Sequence, residues 1–302
     1  MFQPPVIQEL TGGRLHFQHG PIDVVLKAWG AEHDVAAAYA AAAARFRDIL
    51  GELVGELGEL RKPMDENPIV TGPVARRMVA ACRPFAEVFV TPMAAVAGAV
   101  ADELMATMLV ASPLTKAFVN DGGDIAIHLG AGETISVGVA DFSRGAVPAL
   151  NGNVTLRTED HIGGVATSGR HGRSFSLGIA DSVTILARDA ATADVAATLV
   201  GNAVNIDAPG IVRRPARELD PDSDLGGRLV TVGVPPLTLP QITAALASGR
   251  TRAEDYVGRR LSAAAAITLQ SVSEVVSEET LLRSVSRSDT ALNRRGPLGS
   301  FY

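Results

Sequence analysis

Alternating and periodic apolar positions divide the N-terminal part of the chain into a hairpin followed by helices. The alternation over Leu15–Gln18 and Ile22–Lys27, on either side of a His-Gly-Pro turn, predicts two paired strands. From Ala31 to Leu60 the apolar positions recur at helical spacing. Prolines that open or end a helix bound two further predicted helices, at Val74–Cys82 and Met93–Val110.

The middle of the chain is predicted to be rich in strands. Short β-branched or alternating runs are separated by Gly, Asn and Asp, over Ala117–Val119, Asp124–Leu129, Thr134–Ala140, Val154–Arg157 and Val183–Ala187. A helix follows at Ala190–Val204, and the proline-punctuated stretch Asp207–Gly227 is predicted to be irregular. The remaining pattern predicts a strand at Arg228–Val234 and helices at Leu239–Leu246 and Arg252–Val276.

This order of elements predicts an α/β (α+β) fold in which helices pack on a mixed sheet. No linker composition or repeat divides the chain, so a single domain over residues 1–282 is the simplest organisation. Within it we expect an N-terminal hairpin and helix at 1–62, a core at 72–234 and C-terminal helices at 239–282. Residues 283–302 are polar and rich in Ser and Arg, which predicts a loosely held tail.

Charge and composition exclude some classes of partner. The net charge of −6 and the lack of a basic stripe argue against nucleic acid. The apolar stretch from Pro92 to Ser112 contains Asp102 and Glu103, which favours a buried core helix over a membrane span. The first residues show no signal-peptide pattern, and one cysteine, Cys82, cannot form an internal disulfide. We therefore predict a cytoplasmic protein with a small-molecule ligand; a homodimer remains open.

Two glycine-rich segments could carry chemistry. In Val119–Ala126, Asn120, Asp121, Gly122, Gly123 and Asp124 are typical of a type I′ hairpin turn, and equally of a backbone that approaches a ligand. In Gly163–Arg173, the residues Thr167, Gly169, Arg170 and Arg173 suit a phosphate or carboxylate group. Ser168 would be a nucleophile only if a base such as His171 lay beside it. Otherwise the segment is a glycine-rich loop with capping hydroxyls.

Two acidic segments have both a ligand and a structural interpretation. Asp194 and Thr198 lie four residues apart on one predicted helix, so their oxygens share a face and could bind a hard cation. Alternatively, Asp194 serves the dipole at that helix's N-terminus. The run Asp220–Gly226 resembles the start of a calcium loop, but its glycine is one place late, which favours a solvated turn.

Taken in order, these segments resemble the ApbE-like superfamily, the fold of the FAD:protein FMN transferases. The motif G-A-I-A-K-G-x-A-V-D is similar to Ala94–Asp102, V-N-x-G-G-D to Val119–Asp124, and A-T-S-G matches Ala166–Gly169. The motif V-T-V-x-A … A-D-A-L-A-T is similar to Val183–Ala187 and Ala193–Thr198. The resemblance covers roughly residues 90–205. It implies an Mg²⁺ site made by Asp194, Thr198 and a backbone carbonyl near Ala94–Val96, with Ala94 as the candidate.

Two differences separate this chain from the transferases. Ala97 replaces the family's lysine, and the H-I-I-D-P segment is shortened here to Arg170–Asp181, which keeps only the residue types of His171 and Asp181. Both argue against FAD as a cofactor and favour a functionally uncharacterised side branch of the superfamily. We expect a small-molecule enzyme, a metal-assisted transferase or hydrolase in which His171 or Asp181 moves a proton. The alternatives are a non-catalytic metabolite- or flavin-binding module, then flavin transfer, then a purely structural role.

Overall fold

The computed structural model describes residues 3–141 and 149–278. The predicted tail at 283–302 lies outside this range. Most of the strands are short and contain apolar residues. They are β1 (Val6–Leu10), β2 (Arg14–His19), β3 (Ile22–Trp29), β4 (Lys116–Asp121), β5 (Asp124–Leu129), β6 (Thr134–Asp141), β7 (Ala149–Arg157), β8 (Gly164–Ser168), β9 (Ser182–Ala187), β10 (Val212–Pro215), β11 (Leu229–Gly233), β12 (Ala264–Leu269) and β13 (Val272–Ser277).

The helices lie between runs of these strands along the chain. They are α1 (Glu32–Gly55), α2 (Leu57–Leu60), α3 (Pro73–Cys82), α4 (Val96–Ala111), α5 (Ala190–Ala203), α6 (Ala216–Leu219) and α7 (Leu239–Gly258). A 3-10 turn at Pro92–Ala95 leads directly into α4. The predicted helices over 31–60, 74–82, 93–110 and 190–204 are thus confirmed, the first with a break at Glu56.

The central sheet has nine strands in the order β1-β2-β3-β4-β5-β8-β9-β12-β13. The α/β class is confirmed, but the expected mixed sheet is antiparallel at every described pairing. Neighbouring strands are joined by hairpins or by connections that return to the same end of the sheet, and such connections produce antiparallel pairs. The hairpins β6–β7 and β10–β11 form two separate small sheets.

The main core lies between one face of the central sheet and the helices. It contains Phe17 and Val119 from the strands, Phe46 from α1, Leu104 from α4 and Val195 from α5. A smaller cluster lies on the other face, where the β6–β7 hairpin covers β5, β8 and β9 and buries Ile127, Val137, Leu156, Ile162, Val165 and Leu186. The two faces are buried against different elements because side chains alternate along each strand.

One described helical stretch, Pro92–Ala111, is long and apolar enough to cross a membrane by length and composition. It is half buried inside the fold and packs against α1, α5, β4 and β5. Glu103 within it accepts hydrogen bonds from Arg45 Nε and Arg77 Nε, both at 2.9 Å. The stretch is therefore packed as a core helix whose acidic residue is paired with α1 and α3.

Three predictions for the chain's later half are wrong. The helix expected over Arg252–Val276 ends at Gly258, and the hairpin β12–β13 follows it and joins the central sheet. The stretch Asp207–Gly227 contains β10 and α6 instead of being irregular throughout. Strand β8 lies inside the segment interpreted as a glycine-rich loop. Strands β12 and β8 each have a pairing partner that is distant in sequence, β9 and β5 respectively, and local propensity does not report such a partner.

Candidate functional site

The Asn120–Asp124 segment is a tight hairpin turn between β4 and β5. Asp121 pairs with Asp124, and the two glycines between them have φ of +63° and +117°. These values lie in the region that glycine adopts readily, which is why the turn needs Gly122 and Gly123. The Asn120 side chain accepts a hydrogen bond from Gly123 N at 2.9 Å. Asn120 therefore stabilises the turn itself.

The two aspartates of this turn connect it to neighbouring segments. Asp121 is only 4% exposed, and its Oδ1 accepts a hydrogen bond from Asp23 N at 3.3 Å. Asp124 Oδ1 accepts a hydrogen bond from Thr167 N at 3.3 Å. The first glycine segment and the end of β8 therefore meet at the Asp124 carboxylate.

The end of β8 also contacts helix α5. Thr198 Oγ1 lies 3.5 Å from Ser168 Oγ. The Thr167 hydroxyl instead pairs with the Thr184 hydroxyl of β9 at 2.9 Å. Among the described residues, the Ser168 hydroxyl therefore has a hydroxyl neighbour and no hydrogen bond to His171.

Helices α4 and α5 each supply a carboxylate that binds the N-terminal N–H groups of the other helix. Asp194 Oδ2, on α5, accepts a hydrogen bond from Gly98 N in the first turn of α4 at 3.1 Å. In return, the Asp102 carboxylate on α4 accepts hydrogen bonds from Ala190 N and Ala191 N at 3.1 and 2.9 Å. The N-cap of α5 is Asp189, whose side chain accepts from Thr192 N. The helix-end role expected of Asp194 thus exists, but it acts on the other helix.

Ala94, the candidate carbonyl ligand, lies in the 3-10 turn just before α4. This turn packs against α5, the helix of Asp194 and Thr198, and Ala94 is partly exposed there. Gly98 permits the close approach of α4 to α5, because a Cβ at this position would lie 2.3 Å from Ala190 O. The elements of the third predicted constellation are therefore adjacent.

Three carboxyl groups of the site, the buried Asp121 and the partly buried Asp124 and Asp194, have raised pKa values. Burial raises the pKa of Asp121 to about 7. Burial and then the neighbouring Asp121 raise the pKa of Asp124 to about 7. Burial, followed by repulsion from Asp124, raises the pKa of Asp194 well above its usual range. Each shift arises because a carboxylate charge is costly where water is excluded and other carboxylates are near.

The basic residues of the Gly169–Asp181 segment are held in two ways. The buried Asp181 Oδ1 accepts a hydrogen bond from Arg170 Nε at 2.8 Å, and it lies 2.7 Å from Arg170 Nη2 and 3.4 Å from His171 Nε2. Arg173 is exposed, and its Nη2 donates to Pro21 O at 2.8 Å. A Cβ on Gly122 would be 3.1 Å from Arg173 Nη1, so this guanidinium lies against the hairpin turn. It also lowers the pKa of Asp121 against the effect of burial.

The structure therefore brings the three predicted segments together, through Asp124–Thr167, Ser168–Thr198 and the repulsion between Asp194 and Asp124. Sequence reasoning missed two participants. Asp102 lies in a motif similar to the family's, but the sequence indicated no role for it. Gln270, whose N–H contacts Asp181, was predicted to lie in a helix, whereas it lies in a hairpin turn.

The Asp220–Asp224 turn is not only solvated, because Asp224 Oδ2 accepts a hydrogen bond from Thr91 Oγ1 at 2.5 Å.

The donor set of Asp194, Thr198 and the 3-10 turn fits a hard cation. It offers a carboxylate, a hydroxyl and backbone carbonyls, the oxygen ligands that Mg²⁺ prefers. Within residues 3–141 and 149–278, Asp194 makes no ion pair with a basic side chain. No three His, Cys, Asp or Glu side chains of that part cluster as a metal site. Besides the Asp194 carboxylate, a cation here would thus depend on hydroxyl oxygens, backbone carbonyl oxygens and the oxygens of a bound small molecule.

The protein has an antiparallel sheet with helices on one face. An oxygen-rich site lies between the glycine turn of β4 and β5 and the helices α4 and α5. Together these features define an ApbE-like α+β protein. A family model described as "AbpE bacteria" matches residues 7–279, which is most of the chain. The chain therefore belongs to this family. The predicted resemblance is confirmed.

Two curated relatives are UPF0280 proteins, a name that assigns no activity. A UPF0280 protein of Methanothrix thermoacetophila is 40% identical over 48% of this chain, and one of Methanopyrus kandleri is 36% identical over 53%. The matched segments span only 56% and 61% of these two relatives. Among solved structures, an ApbE protein of Thermotoga maritima matches with a TM-score of 0.41 at 16% identity, over 94% of this chain and 99% of that one.

Proposed function

We propose that this protein is a small-molecule enzyme that binds an anionic ligand, such as a nucleotide or another phosphate- or carboxylate-bearing metabolite, together with Mg²⁺. The observation that carries the proposal is the convergence of three carboxyl groups, the buried Asp121 and the partly buried Asp124 and Asp194, with the Ser168 and Thr198 hydroxyls. Carboxyl groups that lie close together away from water, with no ion pair among the described residues, favour a bound cation, which would restore their ionised forms. The bound cation would in turn neutralise an anionic group of the ligand.

The residues around this point have separable roles in the proposal. Asp194 and Thr198 would hold the cation, with a carbonyl of the turn that contains Ala94. Arg173 is exposed beside the hairpin turn, so its guanidinium can turn toward an anionic group of a ligand. Arg170 is less available because its guanidinium is already paired with the Asp181 carboxylate.

Proton transfer is assigned to His171. Its Nε2 lies 3.4 Å from the buried Asp181 carboxylate, which can orient the imidazole in the way that a carboxylate orients a catalytic histidine. Asp181 itself is a poor candidate for moving a proton, since both of its oxygens accept hydrogen bonds from protein groups. Asp181 is therefore a positioning residue in this proposal.

A non-catalytic binding module is the second candidate. It is favoured by one observation: among the described residues, Ser168 hydrogen-bonds to Thr198 and to no base that could activate it as a nucleophile. Flavin transfer, the activity of the wider superfamily, is tested separately. Incubation with FAD, Mg²⁺ and a threonine-containing acceptor should give neither covalent flavin nor AMP.

A thermal-shift screen of FAD, FMN, ADP and organic acids, with and without MgCl₂, tests the proposed ligand class. We expect at least one anionic compound to raise Tm by several degrees, and more strongly when Mg²⁺ is present, because a ligand that binds only the folded state stabilises it. In Asp194→Asn the Mg²⁺-dependent part of the shift should vanish.

The matched control is Asp102→Asn, which alters the reciprocal helix-capping carboxylate on α4. This variant can lower the baseline Tm, but it should keep the Mg²⁺-dependent shift. The proposal is contradicted if no compound stabilises the wild-type protein, or if Asp194→Asn responds to Mg²⁺ and ligand as fully as Asp102→Asn does.

A further inference from the structure

The turn between β12 and β13 has an unusual backbone. It consists of Gln270 and Ser271, with φ of +46° and +69°. Such two-residue hairpin turns are normally made by Asn-Gly or similar pairs, because other side chains are disfavoured at positive φ. Two consecutive non-glycine residues in this conformation persist only where surrounding contacts hold them.

Gln270 has three hydrogen bonds to distant parts of the chain. Its N–H donates to Asp181 Oδ2 at 2.5 Å. Its side-chain Oε1 accepts from Leu237 N at 2.8 Å, and its Nε2 donates to Pro235 O at 2.7 Å. The side chain thus fastens the turn to the segment before α7, while the main chain presents its N–H to the buried carboxylate.

The Asp181 carboxylate faces the candidate site with its other oxygen. Asp181 is 1% exposed, and its Oδ1 is the atom that holds Arg170 and His171. The backbone is equally close: a Cβ on Gly169 would lie 2.4 Å from Asp181 O, and Arg170 N donates to Ala180 O at 2.9 Å. Since Oδ2 is bound by Gln270, the carboxylate cannot rotate without losing that bond.

We propose that Gln270 is a positioning residue for the candidate site. Its left-handed conformation, enforced by the amide contacts to Pro235 and Leu237, directs the N–H that fixes Asp181, and Asp181 in turn fixes Arg170 and His171 two and three residues beyond Ser168. The consequence for ligand binding rests on the proposed function; the fixing of Arg170 does not. Gln270 itself contacts no reacting group.

The test uses Gln270→Asn in the full chain. Asparagine tolerates positive φ and keeps the backbone N–H, but its shorter side chain cannot reach both Pro235 O and Leu237 N. Gln270→Gly is the second variant, since glycine accepts this backbone conformation without strain. Ser271→Gly is the matched control, because it changes the adjacent residue of the same turn and leaves the contacts of Gln270 in place.

The first measurement is hydrogen exchange of the Arg170 Nε–H by ¹⁵N NMR, with the signal assigned by its loss in Arg170→Lys. In the wild type and in Ser271→Gly this proton should be protected. In Gln270→Asn and Gln270→Gly its exchange should be at least about tenfold faster. A loss of overall stability alone would not produce this result, because protection of β4 and β9 amides in the same spectra reports global opening.

The second measurement is the affinity for ADP in the presence of Mg²⁺, which should fall about tenfold in both Gln270 variants and not in Ser271→Gly. Protection of the Arg170 proton that is unchanged in Gln270→Asn and Gln270→Gly overturns the proposal. Failure of the wild-type protein to bind ADP with Mg²⁺ would count against the proposed function alone, since the exchange measurement needs no ligand.

Discussion

At the scale of single residues, the defining feature is a group of three carboxyl groups that have no ion pair among the described residues. The pKa of Asp121 and that of Asp124 are raised to about 7, and the pKa of Asp194 is raised well above its usual range. Glu103, by contrast, is paired with Arg45 and Arg77. Because removal of a charge from water without compensation costs stability, this contrast supports the proposal that the three carboxyl groups serve a ligand.

These shifts predict how stability depends on pH. A carboxyl group whose pKa is higher in the folded state than in the unfolded chain takes up a proton on folding, so its contribution to stability is lost as pH rises through the folded pKa. Without Mg²⁺, the free energy of unfolding should therefore increase as pH is lowered from 8 to 5, by roughly 1 to 3 kcal/mol for Asp124. Urea unfolding at several pH values measures this change in the free energy of unfolding.

Asp124→Asn is the control for this prediction, because the difference between it and the wild type cancels the histidines and the other titrating groups that do not interact with Asp124, and reports Asp124 together with its repulsion of Asp121 and Asp194. The difference should shrink when Mg²⁺ is added, since a bound cation favours the ionised carboxylate. A pH dependence that is the same in the wild type and in Asp124→Asn would contradict the assignment.

At the scale of elements, the site depends on how closely α4 and α5 approach. Gly98 lies where these helices touch, and a Cβ there would be 2.3 Å from the Ala190 carbonyl oxygen. Gly98 N also donates to Asp194. A side chain at this position must therefore separate α4 from α5, the helix that carries the proposed cation ligands Asp194 and Thr198.

Gly98→Ala should consequently destabilise the protein by about 1 to 3 kcal/mol, through overpacking, and weaken the Mg²⁺-dependent stabilisation. Gly51→Ala is the matched control. Gly51 is an exposed residue of α1, and a Cβ added there would have no atom within 4 Å, so alanine should stabilise that helix by about 0.5 to 1 kcal/mol. Chemical unfolding curves compare the two, and equal effects would refute the close-packing argument.

The elements also show what the sequence could and could not predict. Helices with clear periodicity, such as α5 and the proline-bounded α3, were predicted almost to the residue. The β12–β13 hairpin was not, because Ala264–Ala266 favours a helix and the Gln270-Ser271 turn lacks the Gly or Asn that normally marks a hairpin. That turn is held by tertiary contacts to Asp181, Pro235 and Leu237, which no local pattern reveals.

At the scale of the whole molecule, one antiparallel sheet connects the two ends of the described chain. Strands β1 to β3 lie at one side and β12 and β13 at the other, with β5 and β8 between them. The glycine turn after β4, the end of β8 and the helix α5 are brought to one place by this topology. The sequence indicated all three segments separately; their convergence required the strand order, because Asp124 and Thr167 are distant in sequence.

In the complete fold, some residues predicted to bind a ligand instead make contacts within the protein. Asn120 stabilises its own turn, and Arg170 and Asp181 hold each other. Asp121, Asp124, Ser168, Asp194 and Thr198 remain the residues whose side chains converge. The motifs thus indicated segments that the fold brings together, whereas their function as one site stays a prediction.

The central claim is that these segments form one cation-binding site, and paramagnetic NMR with Mn²⁺ in place of Mg²⁺ tests it most directly. Sub-stoichiometric Mn²⁺ should broaden the backbone amide signals of Gly98, Gly123, Thr167 and Thr198 together, leave those of β1 and β13 sharp, and have no such effect in Asp194→Asn. Selective broadening at the Asp220–Asp224 turn, or broadening that persists unchanged in Asp194→Asn, would contradict the claim.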